Sequence, residues 1–127
     1  MTQVLIDTCA WIDYFRSTTG QLGNQVAQLI ETQQAVLCGV VITELLQGAR
    51  GKKEQQQLKL LFETIECISI NEEDWHSAGI ALQGLRRKGI TLPVTDALIA
   101  AIAQRRKLAI LTIDRHFEYL DTDFVSV

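Results

Sequence analysis

With 127 residues, 47% of them hydrophobic, the chain has the length and apolar content of one domain covering residues 1–127. No apolar run approaches the ~20 residues of a membrane-spanning helix, and the N-terminus lacks the basic and apolar regions of a secretory signal, so we expect a cytoplasmic protein. The net charge of −3 argues against a general nucleic-acid-binding protein, which usually carries an excess of basic residues.

The first half of the chain alternates short apolar runs with segments of helical periodicity. Val4-Leu5-Ile6 predicts a buried parallel strand, and the apolar positions in 10–15 predict a short helix. Residues 41–48 fit either a strand or a helix, and the terminal Gly48 favours the helix. The other predicted elements are helices at 21–32 and 52–62 and a strand at 35–38.

The second half continues this alternation. Asn71 and Asp74 resemble a capping box at the start of a helix whose buried face carries Trp75. Pro93 begins an apolar helix that has Asp96 in its first turn. Strands at 66–70, 108–112 and 124–127 and a helical turn at 116–120 complete the series. Strands alternating with helices predict an α/β fold, a three-layer α/β/α sandwich with a mainly parallel central sheet.

Four acidic residues lie next to apolar strands or helices, where burial would make their charged forms unfavourable. Asp7 and Asp114 follow apolar strands, while Glu44 and Asp96 lie near the starts of apolar helices. Ligands bind at the carboxyl ends of strands in open α/β sheets, and buried carboxylates are unstable unless they are paired or metal-bound. Carboxylates without His or Cys suit a hard cation, Mg²⁺ or Mn²⁺, which supports phosphodiester hydrolysis.

The segments that contain these acids match one family as a set. In the order and spacing of four motifs, over nearly its whole length, the chain resembles the PIN-domain ribonucleases, and most closely the VapC toxins of bacterial toxin–antitoxin pairs. The motifs are Val4-Leu5-Ile6-Asp7-Thr8, Val41-Ile42-Thr43-Glu44-Leu45-Leu46-Gln47-Gly48, Thr95-Asp96-Ala97-Leu98-Ile99-Ala100-Ala101 and Leu111-Thr112-Ile113-Asp114-Arg115-His116-Phe117.

The resemblance implies a PIN-like fold and a Mg²⁺- or Mn²⁺-dependent endoribonuclease. It also implies a homodimer, an RNA substrate such as transfer RNA, and a small cognate antitoxin protein whose C-terminal segment lies across the active site. Asp7, Asp96 and Asp114 would bind the metal, and the hydroxyls of Thr8 and Thr112 would orient carboxylates or water. The catalytic acids would be Asp7, Glu44, Asp96 and Asp114.

Two basic clusters lie outside the acidic motifs. Cations at a helix end complement the helix dipole, and a rim of cations that binds RNA phosphates is the other interpretation. Without the four candidate acids, 11 acidic residues face 12 Lys and Arg residues, so such a rim is compatible with the net negative charge. The residues concerned are Arg50, Lys52, Lys53, Arg86, Arg87 and Lys88.

Cysteine and histidine, the usual ligands of zinc, show no metal-binding pattern. Cys9, Cys38 and Cys67 are widely spaced and lack a C-x-x-C pair, so we predict reduced, buried thiols and no disulfide. The two histidines, His76 and His116, are predicted to be surface or boundary residues. His116 lies two residues beyond Asp114, where it could touch a substrate, but nothing in the sequence marks it as a general base.

Two other functions remain open on the sequence. An aspartyl-phosphate phosphatase also has a first strand ending in an Asp, but it carries a second Asp two residues later, where this chain has Cys9. A catalytically silent module would use the acidic cleft only to bind a basic peptide. The sequence does not exclude that module.

Overall fold

Parallel strands form the centre of the fold. The computed structural model describes residues 2–16 and 20–125. Within these residues the strands form one sheet in the order β3-β2-β1-β4-β5, and every adjacent pair is parallel. The predicted parallel sheet is therefore confirmed, with the first strand at its centre. The strands are β1 (Val4–Ile6), β2 (Ala35–Cys38), β3 (Glu66–Ile68), β4 (Ala109–Leu111) and β5 (Asp123–Phe124).

Helices flank this sheet, which confirms the predicted α/β architecture. The predicted helices at 21–32, 41–48 and 52–62 are observed to within two residues of their expected ends. No helix among the described residues is long and apolar enough to cross a bilayer. The helices are α1 (Thr8–Arg16), α2 (Gln21–Glu31), α3 (Gly39–Gln47), α4 (Gly51–Thr64), α5 (Glu72–Arg87), α6 (Val94–Arg106) and a 3₁₀ helix (Arg115–Tyr119).

Several element boundaries differ from the predictions by one or two residues, and three of these differences concern the first helix and the two edge strands. Helix α1 begins at Thr8, two residues earlier than predicted, because the Asp7 carbonyl already accepts the N–H groups of Ala10 and Trp11. The strand predicted at 66–70 ends at Ile68. The strand predicted at 124–127 is observed at Asp123–Phe124, and residues 126–127 lie outside the described part of the chain.

The core combines strand residues and a long buried stretch of α6 with inward-facing residues of the other helices, of which Trp11 is completely buried. Leu5, Ile6 and Leu37 are completely buried, as strands covered on both faces require. Burying a side chain of this size stabilises the fold by about 1.5–3 kcal/mol relative to exposing it. Helix α6 is buried at eight consecutive positions, 96–103. Asp96 therefore enters the interior on an element that offers it no solvent-facing side.

Two side chains that we predicted to be buried lie at the surface. Trp75 is 53% exposed, because Asp74 and Ala78 occupy the inward positions of α5, one turn apart. Cys67 is exposed because β3 is an edge strand and the inward position is taken by its neighbour Ile68. All three cysteines are free thiols, as predicted.

A buried ion pair joins α5 to α6. Asp74 is 1% exposed, and Arg105 binds both of its oxygens, with Nε 2.8 Å from Oδ1 and Nη2 2.9 Å from Oδ2. The backbone N–H of Asn71 donates to Asp74 Oδ2 at 2.8 Å, which completes the predicted capping box. Burial works to raise the pKa of Asp74, but the hydrogen bonds from Arg105 and Asn71 outweigh it and hold the pKa below its usual range.

Replacing Arg105 by glutamine should destabilise the protein by about 3–5 kcal/mol, because the buried Asp74 carboxylate loses its partner charge. The matched control is Arg106→Gln, since the Arg106 guanidinium is 40% exposed and lies 3.8 Å from Glu66. The control should cost no more than about 1 kcal/mol. Urea unfolding at neutral pH measures both changes, and equal losses would contradict the role of the buried pair.

Candidate metal centre

Asp7 lies at the carboxyl end of the central strand and is held by its backbone on both sides. Its N–H donates to Leu111 O at 3.0 Å, which extends the pairing of β1 with β4. Its carbonyl accepts the N–H groups of Ala10 and Trp11 at 3.1 and 3.2 Å, which starts α1. The residue is only 5% exposed. Its carboxylate is thus fixed at the edge where α/β sheets bind ligands.

Asp96 and Asp114 meet after approaching from different elements. Asp96 is the third residue of α6, after the N-cap Pro93, and is 7% exposed. Asp114 follows β4 and caps the 3₁₀ helix, with Oδ1 accepting the N–H of His116 at 2.9 Å. Oxygens of Asp96 and Asp114 lie within 4.8 Å of each other. The structure therefore brings these two predicted site residues together.

Thr112 connects Asp7 to Asp114. Its hydroxyl donates to Asp7 Oδ2 at 2.7 Å and accepts the N–H of Asp114 at 3.0 Å. Cys9 Sγ lies 3.5 Å from both Asp7 Oδ2 and Thr112 Oγ1. Thr112 therefore contacts two of the predicted acids, as a residue that orients them must. Cys9 is an additional neighbour that the sequence did not indicate.

Glu44 is linked to the centre through a hydroxyl. Thr8, which directly follows Asp7, donates from Oγ1 to Glu44 Oε1 at 2.8 Å. Glu44 is the sixth residue of α3, not one near its start as predicted, because the helix begins at Gly39, directly after β2. Its side chain also borders a cavity of about 50 Å³ beside Arg16. The Thr8 hydroxyl is thus the contact that brings Glu44 next to the residue following Asp7.

His116 reaches the acids although the sequence marks it only as a surface residue. Its Nδ1 lies 2.9 Å from Asp114 Oδ1 and 3.1 Å from Asp96 Oδ2. The side chain is 48% exposed, so the surface prediction is correct and the contact was missed. The signal that could have found it is local: a residue two positions after a capping Asp, with its N–H bonded back to that Asp, is held beside it.

Burial and mutual repulsion both disfavour the charged forms of these acids. Burial is the largest cause that raises the pKa of Asp7, and the charge of Asp114 adds to it against the hydrogen bond from Thr112. Burial also raises the pKa of Asp96 to about 6, with contributions from the charges of Asp114 and Asp7, although His116 lowers it. The negative charge of this centre is therefore not balanced by the groups around it.

One buried oxygen indicates what the centre lacks. Asp96 Oδ2 has no hydrogen-bond partner among the described residues, and the approach of His116 Nδ1 to 3.1 Å does not meet hydrogen-bond geometry. Leaving a buried polar group unpaired costs about 1–3 kcal/mol, and more when it is charged. Carboxylate oxygens are the ligands that Mg²⁺ and Mn²⁺ prefer. The donor set and the unpaired oxygen therefore fit a divalent cation.

The six basic residues considered as RNA contacts are exposed and lie at helix ends. One cluster surrounds the start of α4, and the other ends α5. Residues 88–93 connect α5 directly to α6, so the second cluster lies at the same end of this helix pair as Asp96. Their binding to RNA stays a prediction. The clusters are Arg50, Lys52 and Lys53, and Arg86, Arg87 and Lys88.

Known proteins resemble the chain in both sequence and fold. The profile of the PIN domain family matches residues 4–123. The VapC ribonuclease Mb1587 of Mycobacterium bovis and the ribonuclease VapC11 of Mycobacterium tuberculosis are each 30% identical over 121 residues, covering 92% of this chain and 90% of theirs. A chain in the crystal structure of VapBC2 from Rickettsia felis, bound to a promoter DNA fragment, superimposes with a TM-score of 0.81 at 18% identity over 98% of both chains.

Asp96→Asn should stabilise the metal-free protein at neutral pH by roughly 1–2 kcal/mol, because the amide removes a charge that burial and neighbouring acids disfavour. Asp96 has its pKa raised from 3.8 to about 6 by folding, so its ionisation destabilises the folded state across that interval. The advantage of the variant should therefore be small near pH 4 and grow until about pH 7. Urea unfolding in EDTA across this range measures it.

Asp121→Asn is the control for this prediction, because Asp121 is an exposed acid past the 3₁₀ helix. It should change the unfolding free energy by less than about 0.5 kcal/mol at every pH. An Asp96→Asn variant that is less stable than the parent protein at pH 7 in EDTA would contradict a repulsive acidic centre. So would an advantage that does not change with pH.

Proposed function

The chain belongs to the PIN domain family and, within it, to the VapC ribonucleases, and from this premise we propose that it is a metal-dependent endoribonuclease that acts as the toxin of a toxin–antitoxin pair. The reaction is hydrolysis of RNA phosphodiester bonds. The observation that carries the proposal is the acidic cluster at the carboxyl edge of the sheet, where oxygens of Asp96 and Asp114 lie within 4.8 Å of each other and Thr112 links Asp114 to Asp7. Burying these acids together is costly, and a catalytic cation explains the cost.

Asp7, Asp96 and Asp114 would hold a Mg²⁺ or Mn²⁺ ion. The support is their oxygen donors, together with the buried Asp96 Oδ2 that no described residue hydrogen-bonds. When bound, such an ion supplies positive charge that stabilises the reacting phosphate and makes a water molecule more acidic. The protein must then keep the carboxylates in place as the substrate enters.

Hydroxyl groups of the chain perform that positioning. Thr112 donates to Asp7 and accepts from the backbone of Asp114, so one side chain sets the separation of two acids. Thr8 holds Glu44 by a hydrogen bond from the first turn of α1. We assign to Glu44 the orientation of the attacking water, because it approaches from α3, an element that carries none of the other three acids.

The exposed cations would bind the RNA backbone. The cluster at the end of α5 lies on the side of the molecule where α6 begins with Asp96. Lys and Arg contacts to phosphates give affinity without sequence preference and steer the approach of RNA. A structured substrate such as transfer RNA would span both clusters, and cleavage of it would take place in the cytoplasm.

Two protein partners follow from the same proposal. A cognate antitoxin would neutralise the enzyme by placing a basic side chain against the carboxylates, since the excess negative charge that attracts a metal also attracts a cationic residue. The similar Rickettsia felis structure contains VapBC2 bound to promoter DNA, which supports such a pairing. We also propose that the chain forms a homodimer.

The two competing functions receive less support. The phosphatase requires a second acid where this chain has Cys9, and Cys9 Sγ instead contacts Asp7 and Thr112. The silent binding module requires only a negatively charged surface. It gives no reason for Asp96 to keep a buried carboxylate oxygen without a hydrogen-bond partner. The relatives with 30% identity over most of the chain are named ribonucleases, which favours catalysis.

Purified protein should cleave total cellular RNA with Mg²⁺ or Mn²⁺ and should not cleave it in EDTA. Asp7→Asn and Asp96→Asn should reduce the rate to below about 1% of the parent rate, because the loss of even an indirect metal partner costs 10–100-fold. Asp121→Asn again provides the control and should retain full activity. Denaturing gel electrophoresis measures cleavage, and circular dichroism measures folding.

Cleavage in EDTA, or cleavage by folded Asp7→Asn and Asp96→Asn proteins, would refute a metal-dependent mechanism at these acids. Folded parent protein that cleaves no RNA with either ion would favour the silent binding module instead.

A further inference from the structure

We infer that His116 is a nitrogen ligand of the ion in this centre, so that the centre prefers a first-row transition-metal ion such as Mn²⁺ to Mg²⁺. The inference rests on the proposed metal-dependent function and adds a ligand that the acidic motifs do not contain. Its starting observation is geometric. One possible ligand atom each from Asp96, Asp114 and His116 lies within 4.8 Å of the other two.

The imidazole faces two carboxylates, and this arrangement exceeds what a surface ion pair requires. Nδ1 lies 2.9 Å from Asp114 Oδ1 and 3.1 Å from Asp96 Oδ2. A histidine that only formed ion pairs with these acids should hydrogen-bond both of them, but its approach to the 7% exposed Asp96 does not meet hydrogen-bond geometry. Asp96 Oδ2 also remains without a hydrogen-bond partner among the described residues. A shared cation accounts for all three groups.

The backbone places the ring there without help from a ligand. The N–H of His116 donates to Asp114 Oδ1 at 2.9 Å. The next residue, Phe117, is completely buried, and Leu120 just after the 3₁₀ helix is 7% exposed. The Asp114 cap before His116 and these buried residues after it therefore anchor the short helix, and the imidazole is held beside the acids although its side chain is 48% exposed.

Imidazole changes which ion the centre selects. Carboxylate and water ligands suit Mg²⁺, which requires near-ideal octahedral geometry and keeps several waters. Imidazole nitrogen instead favours ions of the first transition series, whose affinity for nitrogen sites rises along the series from Mn²⁺. A centre of three carboxylates and one imidazole should therefore bind Mn²⁺ more tightly than Mg²⁺.

The chain provides a matched control for this inference. It contains two histidines, His76 and His116. His76 is exposed on α5, the helix that also carries Asp74 of the ion pair with Arg105. Because both side chains are exposed, His76→Gln and His116→Gln should each leave the fold intact, which circular dichroism verifies.

Pulsed electron paramagnetic resonance of the protein with one equivalent of Mn²⁺ tests the inference directly. The full chain, freed of any histidine tag, should show the modulation of an imidazole nitrogen coupled to manganese. The same modulation should persist in His76→Gln and disappear in His116→Gln.

Calorimetric titration gives a second measurement. His116→Gln should weaken Mn²⁺ binding by at least about tenfold, the lower end of the loss caused by removing even an indirect metal partner. It should weaken Mg²⁺ binding by less than this. His76→Gln should change neither affinity.

Absent nitrogen modulation in the parent protein, or modulation that survives in His116→Gln, would overturn the inference. An equal loss of Mn²⁺ and Mg²⁺ affinity in His116→Gln would overturn the selectivity. The proposed nuclease function can fail independently of this inference. Manganese coupled to an imidazole nitrogen in a protein that cleaves no RNA would refute the nuclease function but support His116 as a ligand. Metal-dependent cleavage without nitrogen coupling would support the nuclease function and refute His116 as a ligand.

Discussion

Three acids held together against their mutual repulsion are the constraint on which the rest of the structure depends. Asp7, Asp96 and Asp114 come from the end of β1, from α6 and from the segment after β4. Burial and neighbouring charges make Asp7 and Asp96 less stable in their charged forms. A fold that gathers them gives up stability until a cation is bound. That excess of negative charge is also the physical source of affinity for a divalent ion and for the basic side chain of an inhibitor. The proposed metal binding and the proposed inhibition by a basic side chain would thus be two consequences of one electrostatic arrangement.

Backbone pairing and a threonine hydroxyl hold the acids in place against this repulsion, and a buried ion pair elsewhere stabilises the fold. The central position of β1 fixes Asp7, and the hydroxyl of Thr112 ties Asp7 to the segment after β4. Asp74, also buried, is paired with Arg105 and has its pKa lowered, so it stabilises the fold above its unfolded pKa and loses that effect on acidification. Asp7 and Asp96 behave in the opposite sense, because their raised pKa makes ionisation destabilising. A buried acid that is paired with an arginine stabilises the fold, whereas buried acids without such a partner favour the binding of a cation.

Local patterns predicted most of the fold because each rests on one physical rule. Apolar runs became buried parallel strands, and the spacing of Asn71 and Asp74 became a capping box. The inward face of α5 was predicted wrongly at Trp75, because hydrophobicity alone favours burying tryptophan, whereas the partner Arg105 lies on another helix and draws Asp74 inward. The convergence of the acids was predictable from their places at strand and helix ends. The contact of Cys9 was not, because it depends on a side-chain direction after a strand end that no periodicity encodes. The contact of His116 had only a local signal, its place two residues after a capping Asp.

A crystal grown with Mn²⁺ and measured where manganese scatters anomalously tests the metal centre most directly. We predict an anomalous peak about 2.0–2.3 Å from carboxylate oxygens of Asp7, Asp96 and Asp114, the range of small divalent ions. The metal centre would be contradicted by a manganese peak at another place. It would also be contradicted by a structure from the same crystals in which these three carboxylates point away from one another.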